Sequence, residues 1–294
     1  MPCHQSPDLL PAAGSMRRAL FTYLLLGAAF LCGPAAAEDY PRADAKIALV
    51  VGNAAYPSGP LRNPGNDARA IAANLKSLGF QVTLKENTSR RELTEALREF
   101  SINGARSDVR LFFYAGHGMQ LKGRNYLIPV DADFNSEDDL PRQAADVTEF
   151  LDRLSTSRAG LNLVILDACR NNPFTSTTTL LADSRRANIK TRGIGGGSRP
   201  SSGLAPLDAP SGTLVAFSTA PGSIARDSAN QEHSVYTKHL LQWMNTPGLP
   251  VERLFKQVRI GVSQETQQQQ VPWETSSLMG DFCFKTDGKK ACVN

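Results

Sequence analysis

The chain has 294 residues, of which 41% are apolar and 20% charged, with 23 glycines and 18 prolines. That composition belongs to a folded globular protein and excludes a disordered, collagenous or coiled-coil chain. The 32 basic and 28 acidic side chains leave a net charge of only +4. Basic residues never run longer than two and are not interleaved with aromatics, so no nucleic-acid partner is expected.

Arg17 and Arg18 precede an apolar run from Ala19 to Leu31, which gives way to Gly33, Pro34 and Ala35 to Ala37 before Glu38. A basic start, a short apolar centre and small residues at a cut site make residues 1–37 a secretory signal peptide. The apolar run falls short of the ~20 residues that span a bilayer. The expectation is an exported protein, periplasmic or secreted, and not integral to a membrane. The mature chain, roughly 250 residues, has the size of one domain. Cys3 and Cys32 leave with the leader, and Cys169, Cys283 and Cys292 remain, an odd number in an oxidising compartment. Cys283 and Cys292 flank a turn at Asp287-Gly288, where they either pair or stay free at a frayed terminus.

From there strand-length apolar runs alternate with helical patterns. Lys46 to Gly52 is a continuous apolar strand of the kind buried on both faces. Asn66 to Leu78 repeats Ile71, Leu75 and Leu78 at helical spacing and stops at Gly79. Gln81 to Leu84 is a second strand, and Ser89 with Glu92 forms a capping box for a helix bearing Leu93, Leu97 and Phe100. Arg110 to Ala115 is a third strand, Val147 to Leu154 an amphipathic helix and Asn162 to Asp167 a fourth strand. Thr175 to Gly212, rich in Ser, Thr, Gly, Pro and Arg, reads as a long mobile loop. Structure resumes with a strand at Thr213 to Ser218, helices at Val235 to Trp243 behind a Ser234 cap and at Val251 to about Gln264, and a final strand at Asp281 to Phe284. This order predicts an α/β fold around a mostly parallel sheet.

In such sheets sites lie beyond the carboxyl ends of the strands. The third strand runs into Tyr114, Ala115, Gly116, His117 and Gly118, and the fourth into Asp167, Ala168, Cys169 and Arg170. If those strands are neighbours, a thiol and an imidazole stand together, which is a nucleophile beside an acid/base. Neither residue alone carries that reading; the pair does. No zinc spacing, EF-hand loop, P-loop or GxSxG elbow accompanies them, so no metal or cofactor is expected and serine hydrolase chemistry is set aside.

His117 precedes Cys169 by about 50 residues, a spacing found in caspases. With YAGHG (Tyr114 to Gly118), DACRNNPF (Asp167 to Phe174), LRNPGNDA (Leu61 to Ala68) and the ending PWE…GDFCF (Pro272 to Phe284), the chain resembles bacterial metacaspase-like cysteine peptidases over roughly Lys46 to Phe284. The resemblance implies a caspase-like three-layer sandwich around a mostly parallel six-stranded sheet. Its large-subunit-like part covers residues 38–174, a flexible loop 175–212, a small-subunit-like part 213–284, and a tail 285–294.

The resemblance further implies that Cys169 attacks the scissile carbonyl of a polypeptide, that His117 handles the proton, and that the amides of Gly118 and Cys169 receive the oxyanion. Asp67 and Asp167 would line the pocket for the residue before the cut, and two carboxylates there favour Arg or Lys, whereas Arg62, Arg170 and Arg226, brought to the same pocket, favour Asp. Asp67 also reads as a helix cap and Asp167 as a strand-end turn residue. Ser218 and Thr219, within STAPG, match the strand end that holds substrate backbone, or an ordinary turn. The leading expectation is an exported cysteine endopeptidase cutting after Arg or Lys through a Cys/His dyad. Subsidiary to it, the Thr175 to Gly212 loop is either cut by the enzyme itself at Arg185, Arg186, Lys190, Arg192 or Arg199, or is a solvated linker that is never cut. The competing expectation is a catalytically silent envelope interaction module with the same fold.

Overall fold

The computed structural model describes residues 46–134, 136–156, 160–169, 204–220 and 232–287, with Cys169 and Glu137 described through their backbone. The signal peptide expected at residues 1–37, residues 175–203 of the loop with the expected self-cutting sites, Gly222 of STAPG and Cys292 lie outside them.

Four apolar strands form the centre: β1 (Lys46–Gly52), β3 (Val109–Leu121), β6 (Leu161–Cys169) and β7 (Thr213–Phe217). Together with β2 (Gln81–Glu86) and β8 (Trp273–Ser276) they make the order β2-β1-β3-β6-β7-β8. All pairings along this path are parallel except β7 with β8. The fold is therefore the expected α/β sandwich on a mostly parallel sheet. Its sixth strand, however, is Trp273–Ser276 and not Asp281 to Phe284.

That difference has a local cause. Phe282 and Phe284 alternate because both are buried, their rings 5.0 Å apart and edge to face. The segment makes only isolated bridges, Cys283 to Pro250 and Lys285 to Pro247. Proline has no N–H to carry a ladder further. Cys283 is buried and disulfide-bonded.

Side chains along the central strands alternate between two cores, as the pleat requires. Val50, Phe113 and Ile165 pack on one face against α1 (Pro64–Ser77), α5 (Val235–Met244) and α6 (Val251–Glu265). Val51, Phe112 and Val164 pack on the other against α2 (Arg90–Asn103) and α4 (Val147–Ser155). Full burial of each such side chain stabilises by about 1.5–3 kcal/mol. The Ser89–Glu92 capping box forms as read, whereas α1 begins at Pro64, two residues earlier than its periodicity suggests. Proline at the first helical position lacks only an N–H that would have no partner in the helix.

Two further departures bear on the site. First, β3 does not stop at Ala115: it continues to Leu121 and folds back through Lys122 and Gly123 onto β4 (Arg124–Leu127). Both turn residues have positive φ, 50° and 79°. That is the requirement of a two-residue hairpin whose twist matches its strands. Lysine is an unusual occupant of such a position, which hides the hairpin from a reading by turn residues. β4 then pairs with the short β5 (Ala145–Asp146), ahead of which lies α3 (Leu140–Gln143).

Second, the last part of the expected loop is packed. Leu204 and Ala205 are buried, and the Asn125 side chain brackets Ala205, donating to its carbonyl at 3.0 Å and accepting from its amide at 2.6 Å. Among the described residues no helix is long and apolar enough to cross a membrane.

Candidate active site

Strand order reverses direction between β1 and β3, because β2 lies to one side of β1 and the rest of the sheet to the other. A crevice opens at the carboxyl ends of strands where the connections diverge in this way. His117 stands there, two residues past the last β3 residue paired with β1. The chain leaving β1 curls back over it: the Gly59 carbonyl lies 2.7 Å from His117 Nε2, and the Tyr56 ring centroid lies 4.3 Å from that of the imidazole. A carbonyl only accepts, so neutral His117 carries its proton on Nε2 and offers Nδ1 as the basic nitrogen.

The register of β3 with β6 makes His117 the direct partner of Cys169. Neighbouring strands are about 4.8 Å apart, so the two backbones are brought together at the end of the sheet. Gly118 follows, where an added Cβ would lie 3.1 Å from the Cβ of Ala168 and 3.4 Å from Leu204 Cδ2. The Asn125 bracket and Leu204 thus close one flank of the strand ends.

Asp67 and Asp167 meet at one residue. Asp167 lies two positions before Cys169 on β6, and Asp67 lies in the first turn of α1. Ser234, the N-cap of α5, donates its amide to Asp67 (3.2 Å to Oδ1, 3.3 Å to Oδ2) and its hydroxyl to Asp167 Oδ2 at 2.5 Å. The Thr237 hydroxyl adds a bond to the same Asp167 oxygen at 3.0 Å, and His233 Nδ1 lies 3.0 Å from Asp67 Oδ1. Both carboxylates are buried, Asp67 at 1% and Asp167 at 9% exposure.

Buried anions need such donors, and the amino end of α5 adds its dipole. Asp67 is therefore not a helix cap: the Asn63 main chain opens α1, and the Asp67 carboxylate faces the α5 terminus. Tyr236, the second residue of α5, is fully buried. Burial first, and then the charge of Asp167, push its phenol well above its usual pKa, so it stays neutral.

Ser218 and Thr219 follow β7 directly, both buried. The Ser218 amide donates to the Leu166 carbonyl at 3.0 Å, and its own carbonyl accepts from Gln270 Nε2 at 2.8 Å. Its main chain thus already serves the sheet. Among the described residues the hydroxyls of Ser218 and Thr219 have no hydrogen-bond partner.

Sequence reasoning placed His117, Cys169, Asp67 and Asp167 here but missed Tyr56, Gly59, His233 and the double role of Ser234. Only the Ser234 cap left a sequence signal.

An open α/β sheet with a histidine and a cysteine in register at adjacent strand ends, and paired acids beside them, defines a narrow structural class. Residues 45–283 match the Caspase domain family, so the chain belongs to that family of cysteine peptidases. It is also similar to the mucosa-associated lymphoid tissue lymphoma translocation protein 1 of Homo sapiens, 32% identical over 147 residues, which are 49% of this chain and 17% of that protein. The Mus musculus homolog is 32% identical over 145 residues, 48% of this chain and 17% of the relative. The chain thus spans about a sixth of the length of the curated relatives it matches.

Proposed function

We propose that this chain is an exported cysteine endopeptidase that cuts polypeptides after Arg or Lys, with Cys169 as nucleophile and His117 as acid/base. The observation that carries the reading is the β3–β6 register that pairs His117 with Cys169, with Gly59 directing the basic nitrogen to Nδ1. In the proposed reaction the Cys169 thiol passes its proton to Nδ1 while sulfur bonds to the scissile carbonyl carbon. The carbon–nitrogen bond then breaks, the leaving amine takes that proton, and water releases the acyl group by the same steps in reverse. The amides of Gly118 and Cys169 would hold the oxyanion.

Asp67 and Asp167 support the choice of a basic residue before the cut, because both are buried acids gathered at one helix terminus. The leader at residues 1–37 supports export, and the Cys283 disulfide is in keeping with an oxidising compartment.

The test is hydrolysis of short amide substrates ending in Arg, Lys, Asp or a neutral residue. Cleavage after Arg and Lys that disappears in Cys169→Ala and in His117→Ala is the expected result. Inert wild-type protein whose Cys169 also ignores a peptidyl electrophile would mark a silent module instead.

A further inference from the structure

The polar contacts around His117 contain more than a dyad needs. Tyr56, on the chain leaving β1, has its hydroxyl 2.9 Å from the His117 amide, 3.0 Å from the Ile128 carbonyl and 3.3 Å from the Tyr114 hydroxyl. The Tyr114 hydroxyl lies 2.8 Å from the His117 carbonyl and 2.9 Å from that of Ile128. Each phenol has one proton, so each can donate fully once. One assignment serves every group. The His117 amide donates to Tyr56, Tyr56 donates to the Ile128 carbonyl, and Tyr114 donates to the His117 carbonyl. Burial first, and then Tyr56, push the Tyr114 phenol well above its usual pKa, which keeps it a donor.

The same Tyr56 also lays its ring against the imidazole at a 50° tilt. It thus holds His117 by main chain and by ring, while Gly59, three residues on, holds Nε2. The loop that carries both is fixed from behind: Asn87 Oδ1 accepts from the amides of Ala54 and Ala55, each at 2.9 Å. Gly116 has no room for a side chain, because a Cβ there would lie 2.7 Å and 2.8 Å from the two tyrosine hydroxyls.

We propose that Tyr56 is a positioning residue for the His117 imidazole, fastening its backbone through the hydroxyl and its ring plane through the aromatic face. This rests on the reading of His117 as the acid/base. Tyr56 touches neither proton nor substrate; it narrows the orientations from which Nδ1 can serve Cys169, a step that small displacements slow strongly.

The experiment uses the full-length protein with Tyr56→Phe, which keeps the ring, and Tyr56→Leu, which removes it. Expected on the peptide substrate are a kcat about tenfold lower in Tyr56→Phe and about a hundredfold lower in Tyr56→Leu, with KM within about twofold. In parallel, 15N imidazole spectra of a Cys169→Ala background should show His117 as one Nε2–H tautomer, becoming a mixture in Tyr56→Leu. Unchanged kcat with unchanged spectra overturns the proposal, and so does a rise in KM at constant kcat, which would make Tyr56 a substrate contact. If Tyr56→Leu does not fold, Tyr56→Phe decides by its kcat. If wild-type protein cleaves nothing, the peptidase reading fails separately and the spectra alone decide the positioning role.

Discussion

Ser234 shows how much one side chain can be asked to do. Its hydroxyl accepts from the Thr237 amide at 2.9 Å, capping α5, and donates to Asp167, while its amide serves Asp67. Ser234→Ala removes the hydroxyl and spares the amide. The cap alone is worth about 1 kcal/mol, and Asp167 loses one of its donors in a buried setting. The expected outcome is a lower melting temperature and a KM for Arg substrates raised about tenfold, with iodoacetamide labelling of Cys169 unchanged. Substrate titrations beside thermal melts check this. Equal loss of labelling would move the effect from the proposed pocket to Cys169 itself.

Among elements, the hairpin of β3 and β4 matters more to the site than its size suggests. It carries His117 and Gly118 on one strand and Asn125 on the other. Asn125→Ala leaves both main-chain groups of Ala205 without their partner in a buried place, which costs about 1–3 kcal/mol. Hydrogen exchange at Ala205 is expected to accelerate markedly while the β6 amides keep their protection. An unaltered Ala205 rate would show that Leu204 packing alone seats the segment.

Elements with a local signal are legible in the sequence. The Ser89–Glu92 box, the strand at Lys46–Gly52 and the helix at Val235 each have a cap or an apolar period of their own. The hairpin was missed because Lys122 adopts a conformation that lysine rarely takes. The Trp273–Ser276 strand was missed because an edge strand, exposed at its ends, lacks a continuous apolar run. The site was legible as residue types at strand ends. Its supports were not, since Tyr56 and Gly59 lie in a loop without periodicity.

At the scale of the molecule, chemistry gathers at one end of the sheet while a buried cation sits near the other. Arg110, second residue of β3, is 1% exposed and donates to Asn162 Oδ1 at 2.8 Å and to the Leu154 carbonyl at 2.7 Å. Burial pushes its pKa down from the usual arginine range to about 10. The folded state therefore binds that proton less tightly than the unfolded one. The penalty for keeping the charge is complete below about pH 10 and is relieved as pH rises from there towards the usual arginine range.

Arg110→Met removes the charge together with the hydrogen bonds that Arg110 donates to Asn162 Oδ1 and to the Leu154 carbonyl, and is expected to destabilise by about 1–3 kcal/mol in urea unfolding. Adding Asn162→Leu should cost less than the sum of the single changes, with a coupling of about 1 kcal/mol. Strict additivity would show that the two side chains do not act as a unit.

The amino-acid sequence by itself determined the alternation of strands and helices, the two apolar faces of each central strand, and a cysteine and a histidine at strand ends. These follow from periodicity and caps, which act over a few residues. Only the tertiary structure decided that β3 and β6 are neighbours in a register pairing His117 with Cys169. It alone decided that Asp67 and Asp167 share Ser234, and that Tyr56 folds back onto the imidazole. Those relations join residues far apart in the chain, and they are set by which faces must be buried together, a condition no local pattern contains.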